Sequence, residues 1–340
     1  MPARDEQTAS LTLSDIARLA GVSRSAASRA LDQQSPSNSA GAKRVRAIAA
    51  EHGYVPNAWA ANLRRQRSGL IGVVVPRLTD TIMAMLYEAL VVECESRGLR
   101  ATVVTTGDEP RRELELGRSL VAQRVDGLIL TTARTDGSDP LLTELREQGV
   151  PHALALRSDG ISPCAAVDDV LGGALATQHL LDHGHRRIAF VGGPRYASSS
   201  QGRERGYREA LQAAGVEVAP ELVLESNFSM EAGADAGRRL LALAEPPTAV
   251  FTANDSLAVG LLAVAQRRGL TVPADLSVVG YNDTRLASNL AVPLTSVRVD
   301  FTLLARDAMD LLSAGHEIEP GVTRTTAPVL VERESVARPG

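Results

Sequence analysis

From Leu70 onward, six short apolar runs punctuate the chain: "LIGVVVP", "ATVVTT", "DGLILTT", "RIAFVGG", "TAVFTA" and "LSVVGY". Each is apolar on both faces, the pattern of parallel strands covered by helices on either side. The segments between them carry helical periodicity, as in Phe301, Leu304, Ala308 and Leu311. Strand–helix alternation sustained over residues 70–338 restricts this part of the chain to a doubly wound α/β fold. Its length suits two such lobes with a cleft between them.

The first 69 residues follow other rules. Thr12 is placed to cap a helix, with Asp15 three positions on as the second half of a capping box. Leu13, Ile16, Ala17 and Ala20 repeat at helical spacing, and Gly21 stops that helix. Ser23 caps a second helix reaching about Leu31, with Ala27, Ala30 and Leu31 inward and Arg24, Ser25, Ser28 and Arg29 outward. A third helix is expected from about Ser39 to His52, with Val45, Ile48 and Ala49 apolar, Asn38 as its cap and Gly53 at its C-terminal end. Two helices joined at a tight glycine turn, with small inner residues, form the helix-turn-helix pattern. The outward polar face of the second helix can then enter a major groove.

Charge separates the same two regions. Residues 1–69 hold ten Lys/Arg against five Asp/Glu, and the remainder holds 26 against 35. A small basic head on a large acidic body confines contact with a polyanion to the head. Aromatic residues make up 3% of the chain, too few for the stacking platforms that grip single-stranded nucleic acid.

"LSDIARLAGVSRSAASRAL" resembles the helix-turn-helix of the LacI/GalR repressor family, and the resemblance continues through "GYVPNAWAANLRR". Pro56 ends one element there, and Ala58, Ala60, Ala61 and Leu63 can form a short apolar helix. In the family this hinge helix pairs across a dimer and wedges a leucine into the minor groove, and Leu63 holds that position. The resemblance implies DNA contacts at Thr12, Ser23, Arg24, Ser25, Ala26, Ser28, Arg29, Asn38, Tyr54, Asn57, Ala60, Leu63 and Arg64. The domains expected are a helix-turn-helix head at 10–55, a hinge and linker at 56–69, and an effector domain at 70–338.

"QRVDGLIL", "HLLDHGHRRIAFVGG", "RERGYREAL", "TANDSLAVG", "LSVVGYND" and "PLTSVRVD" match the family's periplasmic-binding-protein-like effector domain in order. The implied fold is an all-α head joined to an α/β two-lobed domain of the type I periplasmic-binding-protein kind. Its chain crosses between lobes three times, expected near 161, 291 and 325. That gives an N-lobe of 70–161 plus 292–325 and a C-lobe of 162–291 plus 326–338. The implied effector residues are Asp80, Ile82, Met83, Arg157, Arg203, Phe228, Asn254 and Asn282. Arg203 is expected to anchor the ligand with two parallel hydrogen bonds, and Phe228 to supply a flat apolar surface.

Departures from the family pattern are local. Ala26-Ala27 stands where a Thr-Val pair is usual, and "SNSAGAKRV" carries Gly41 in place of threonine. "DTIMAM" replaces an aromatic pair, and Leu156 replaces a frequent aspartate. These last two imply a ligand less polar or smaller than a typical hexose.

Enzyme readings lack their motifs. No GxGxxG follows the first strand and no GxxxxGK[ST] occurs. His179 and His183 share an i,i+4 helix face beside His185, but no third ligand cluster accompanies them, so neither metal nor cofactor is expected. Cys94 and Cys164 have no paired spacing, which fits a reducing cytoplasm. "MPARDEQTAS" lacks the apolar core of a secretory signal, and no apolar run is long enough to span a membrane. A transport solute-binding protein would share the fold but not the basic head. The expectation is a cytoplasmic, ligand-responsive transcriptional repressor, working on the nucleoid. Its partners are double-stranded palindromic operator DNA and a sugar-like or other small metabolite. It is expected to be a homodimer, with a tetramer left open because "VERESVARPG" carries no heptad.

Overall fold

The computed structural model describes residues 11–31, 38–54, 68–315 and 319–340. The chain divides into two compact units, residues 1–69 and 70–340.

The described residues of the first unit form three helices: α1 (Leu13–Leu19), α2 (Arg24–Ala30) and α3 (Ala40–Glu51). Thr12 Oγ1 accepts from the Asp15 amide at 3.3 Å, and the Asp15 carboxylate accepts from the Thr12 amide at 3.0 Å. This reciprocal capping box satisfies two of the donors that a helix start leaves open. Gly21, at φ +64°, makes the turn into Ser23, whose side chain caps α2 by accepting from the Ala26 amide. The cap of α3 is Ser39 rather than Asn38: Ser39 accepts from the Ala42 amide at 3.2 Å, and Asn38 lies one residue outside, exposed. Either polar residue suits a cap position, and the register of the helix decides. Ile16, Ala17, Ala20, Ala27, Ala30, Ala42, Val45 and Ala49 form the core.

The second unit contains two six-stranded sheets. In the first, strand order is β11-β5-β4-β3-β1-β2, from β1 (Leu70–Val75), β2 (Arg100–Thr105), β3 (Gly127–Leu130), β4 (His152–Ala155), β5 (Cys164–Val167) and β11 (Thr323–Thr326), all parallel. The second runs β12-β10-β9-β8-β6-β7, from β6 (Ile188–Val191), β7 (Val223–Leu224), β8 (Ala249–Thr252), β9 (Ser277–Asn282), β10 (Thr295–Arg298) and β12 (Val329–Val331). Only β12 pairs antiparallel there. Helices α4 (Thr81–Ser96), α5 (Pro110–Ala122), α6 (Pro140–Glu147) and α11 (Phe301–Ala314) serve the first sheet. Helices α7 (Asp169–Asp182), α8 (Ser198–Ala213), α9 (Met230–Leu240) and α10 (Asp255–Arg267) serve the second. Among the described residues, no helix is long and apolar enough to cross a membrane.

Two of the expected crossings between lobes move. Strand β5 pairs with β4 and β11, so the chain leaves the N-lobe after Val167 and not near 161. Strand β10 pairs with β9, so the return comes after Arg298 and not near 291. The N-lobe is therefore 70–167 plus 299–326. The third crossing, between Thr326 and Val329, lies close to the expected 325.

Candidate functional site: a helix face and an interlobe cleft

On α2, Arg24, Ser25 and Arg29 are exposed, and Ala26 and Ser28 are half-buried beside the inward Ala27 and Ala30. The two arginines, five residues apart, stand toward opposite edges of the exposed surface of α2, with Ser25 and Ser28 between them around the helix. Ser23 Oγ and Ser25 Oγ lie 3.0 Å apart, so part of the polar face is already tied to the helix start. Tyr54 is half-buried against the head's core. Asn57, Ala60, Leu63 and Arg64, with the whole expected hinge helix, lie outside the described residues.

In the second unit, all eight residues expected to meet an effector line one cavity between the lobes. On the N-lobe side, Asp80 caps α4, accepting from the Ile82 amide at 3.3 Å. Burial raises the pKa of its carboxyl, opposed by that hydrogen bond and then by Arg77, Arg157 and Arg203. Ile82 and Met83 follow, buried, at the first turn of α4. Arg157 lies beyond the end of β4 and clasps Asp108, its Nη1 and Nη2 donating at 2.9 to 3.2 Å. Asp108 itself stands in the loop after β2.

On the C-lobe side, Arg203 sits on α8 with its guanidinium 3.8 Å above the Tyr281 ring. Its Nε donates to Asp169 Oδ1 at 2.8 Å and its Nη1 to the Ala253 carbonyl at 2.6 Å. Two of its five N–H donors are thus used inside the lobe, because a 4%-exposed guanidinium needs partners of its own, and the donors left on Nη1 and Nη2 are those a ligand could take. Asn254 caps α10 through Oδ1 and donates Nδ2 to the Phe228 carbonyl at 3.0 Å. That bond supports Phe228 at φ +66°, where its ring covers Gly193 so closely that no Cβ would fit. Asn282 ends β9, 1% exposed, with its Oδ1 buried and without a hydrogen-bond partner.

The lobes also touch each other. Tyr196, in the loop after β6, donates its hydroxyl to Asp108 Oδ2 at 2.9 Å. The Arg134 guanidinium lies 3.4 Å above its ring, and its carbonyl accepts from the Thr135 amide at 2.9 Å. Ser198 Oγ accepts from the Ser158 amide at 2.8 Å. With the lobes so joined, the cavity measures about 40 Å³, room for a water or two. A wider hollow of about 510 Å³ opens on the flank of the C-lobe. Its charged lining residues pair among themselves, Arg195 with Glu225 and Arg208 with Glu204. The smaller cavity is the better site, since polar groups from both lobes converge on it and one buried acceptor there lacks a donor.

Asp108, Asp169 and Tyr196 were not anticipated. Asp108 had a usable signal, since it follows a strand's carboxyl end in an open α/β sheet, where ligands bind. Tyr196 had none. The three histidines face protein groups: His183 Nδ1 meets the His179 carbonyl at 2.8 Å, His185 Nε2 the Ala337 carbonyl at 2.8 Å, and His179 Nδ1 lies 3.8 Å from Glu332 Oε1.

Residues 12–57 match the model of bacterial regulatory proteins of the lacI family, and residues 177–336 match that of the periplasmic binding protein-like domain. The ribose operon repressor of Escherichia coli (strain K12) is 34% identical over 331 residues, covering 95% of this chain and 99% of that protein. The chain belongs to the lacI family. Among solved family structures, the lac repressor dimer bound to operator and the anti-inducer ONPF aligns with a TM-score of 0.84 at 28% identity, over 97% of this chain and 100% of that one. The complex of the transcriptional regulator CelR with cellobiose aligns with a TM-score of 0.73 at 33% identity, over 96% and 99%. The protein is thus a transcriptional regulator of this family and not an enzyme.

Proposed function

We propose that this regulator is a repressor that binds a palindromic operator as a homodimer and changes its DNA affinity when a small hydroxylated metabolite occupies the interlobe cleft. The observation that carries the reading is the cleft itself. Eight side chains from both lobes converge there, and the Asn282 amide oxygen waits buried without a donor. The related lac repressor dimer, bound to its operator, supports the DNA half. Arg24, Ser25 and Arg29 read bases in the major groove, where an arginine fork matches guanine O6 and N7. Leu63, from the hinge segment, wedges into the minor groove at the operator centre. The protein works in the cytoplasm, on the nucleoid.

A gel shift with the DNA upstream of the protein's own gene tests this. The wild type should shift that DNA at lower concentration than random DNA of equal length, and Arg29→Ala should narrow the gap. Equal affinity for both DNAs would overturn the reading. Titrating sugars and nucleosides into the complex then shows whether the ligand releases or tightens the DNA.

A further inference from the structure

The charges in the cleft cancel before any ligand arrives. Arg157 and Asp108 form a bidentate ion pair whose side chains are 5% and 14% exposed. Arg203 is held by Asp169, whose Oδ1 also accepts the Tyr281 hydroxyl at 2.9 Å. Burial raises the pKa of that carboxyl, and the adjacent guanidinium and the two hydrogen bonds oppose the rise. Arg77, at the rim, faces Asp80 closely enough to act on its carboxyl. Arg157 and Arg203 are thus each held by a carboxylate, while Arg77 acts on Asp80 only through space. The buried acceptor left without a donor is Asn282 Oδ1.

We propose, building on the reading of the cleft as the effector site, that it selects uncharged, hydroxyl-bearing ligands and rejects phosphate esters and carboxylates of the same skeleton, with Asp108 setting that selectivity. An anion can take both Nη atoms of Arg157 only by displacing Asp108, whose carboxylate would then stay buried without its ion pair. Neither carboxylate can swing away freely. Asp108 is also held by the Tyr196 hydroxyl and Asp169 by that of Tyr281. An uncharged ligand displaces nothing, and its hydroxyl supplies the missing donor to Asn282.

The test is thermal unfolding of the full chain in phosphate and in chloride at one ionic strength. Phosphate stabilises folded chains in general, so the difference between the two salts in the wild type is the baseline. Asp108→Asn, which frees Arg157, should gain a phosphate-dependent rise above that baseline, and adding Arg157→Met should abolish it. Asn suits this position because Asp108 has φ +67°. Asp108→Gly, with no Cβ to strain there, is the second variant should the first fold poorly.

Ribose, glucose and cellobiose are then titrated beside ribose 5-phosphate, glucose 6-phosphate and gluconate. In any matched pair that binds, the neutral member should bind at least about ten-fold more tightly. Phosphate stabilising the wild type through Arg157, no gain in either Asp108 variant, or a phosphate ester outbinding its parent sugar would each overturn the proposal. If no sugar binds while the Asp108 variants gain their phosphate response, anion exclusion stands and the cleft's role as effector site falls instead.

Discussion

The head and the body close their helices by different means. In the head, helices meet through alanine: Ala17, Ala20, Ala27, Ala30, Ala42 and Ala49 fill the seams, with Ile16 and Val45 as the larger anchors. In the C-lobe, helices meet backbone to backbone, through glycines placed reciprocally. A Cβ on Gly173 of α7 would strike the Arg203 carbonyl, and one on Gly206 of α8 the Val170 carbonyl. The pair α9 and α10 repeats the device, Gly233 against the Leu257 carbonyl and Gly260 against that of Met230. Alanine seams bury little area per residue, so the head depends on its few larger side chains. Glycine seams fix the spacing of two helices absolutely, so the body depends on having nothing there.

The largest expected effect breaks the body's seam. In Gly260→Ala the added methyl meets main chain that cannot rotate away, and the helices must part along their length. Loss of a cooperative C-lobe transition in calorimetry is expected. A variant that melts like the wild type would show the seam to be adaptable. Next comes the head's anchor. Ile16 is fully buried in a core of eight residues, and Ile16→Ala should remove about 2–5 kcal/mol from a unit with little to spare. DNA binding should vanish while the body's melting temperature and its ligand response persist. If the body's melting temperature also fell, the two units would not be independent.

That contrast was half legible in the sequence. The alanine stripe of the head stood out because it accompanies capping residues and a turn glycine at helical spacing. The glycines of α7 to α10 did not, since a glycine inside a helix reads the same whether it packs or merely weakens. The body's layered fold was legible from its six strongly apolar runs. Strands β4 ("HALA"), β5 ("CAAV") and β10 ("TSVR") are too short and too rich in small or polar residues to show, and missing β5 and β10 displaced the lobe boundaries. In the cleft, residue types were inferable from the family motif. Their pairing was not, because Arg203 meets Asp169, and Arg157 meets Asp108, only through the tertiary fold.

A third test uses a charge the body keeps buried. Glu113 on α5 is 3% exposed and accepts a hydrogen bond from the Thr132 hydroxyl. Burial first, then Asp139 and Asp108, push its carboxyl up to about 7 from an ordinary 4.5. Between those values the folded state holds more protons than the unfolded one, so stability falls as pH rises, and the loss is complete above pH ~7. Glu113→Gln should therefore stabilise the body by roughly 3 kcal/mol at pH 8 and by almost nothing at pH 4. Equal effects at both pH values would mean that Glu113 titrates normally.

Tyr196→Phe is smaller and acts between the lobes. It deletes one hydrogen bond to the Asp108 carboxylate while keeping the ring under Arg134. Bonds to a charged group are worth about 1.5–3 kcal/mol, so the balance should move toward open lobes without unfolding either. Spin labels at Glu115 and Gln212, both exposed and one on each lobe, would read this as a longer or broader distance distribution. An unchanged distribution would leave lobe contact to Ser158, Ser198 and Thr135.

The smallest effect returns to the head. Thr12→Ala removes the cap of α1, a seven-residue helix too short to persist without its cap and its packing. The loss should be about 1 kcal/mol, as for other threonine caps, seen as faster amide hydrogen exchange across residues 13–31. The pH dependence should carry the sign opposite to that of Glu113. Hydrogen bonds from the Thr12 side chain and backbone, then from Arg18, hold the Asp15 carboxyl below its ordinary 3.8. A carboxyl lowered in the folded state adds stability above pH ~3.8 that is lost as pH falls through the folded value. Thus the wild-type head should exceed Thr12→Ala at neutral pH and approach it in acid, whereas the wild-type body falls below Glu113→Gln at neutral pH and approaches it in acid. A gap between the wild type and Thr12→Ala that stayed constant from pH 7 down to pH 3 would assign the cap to the threonine hydroxyl alone and leave Asp15 no share in it.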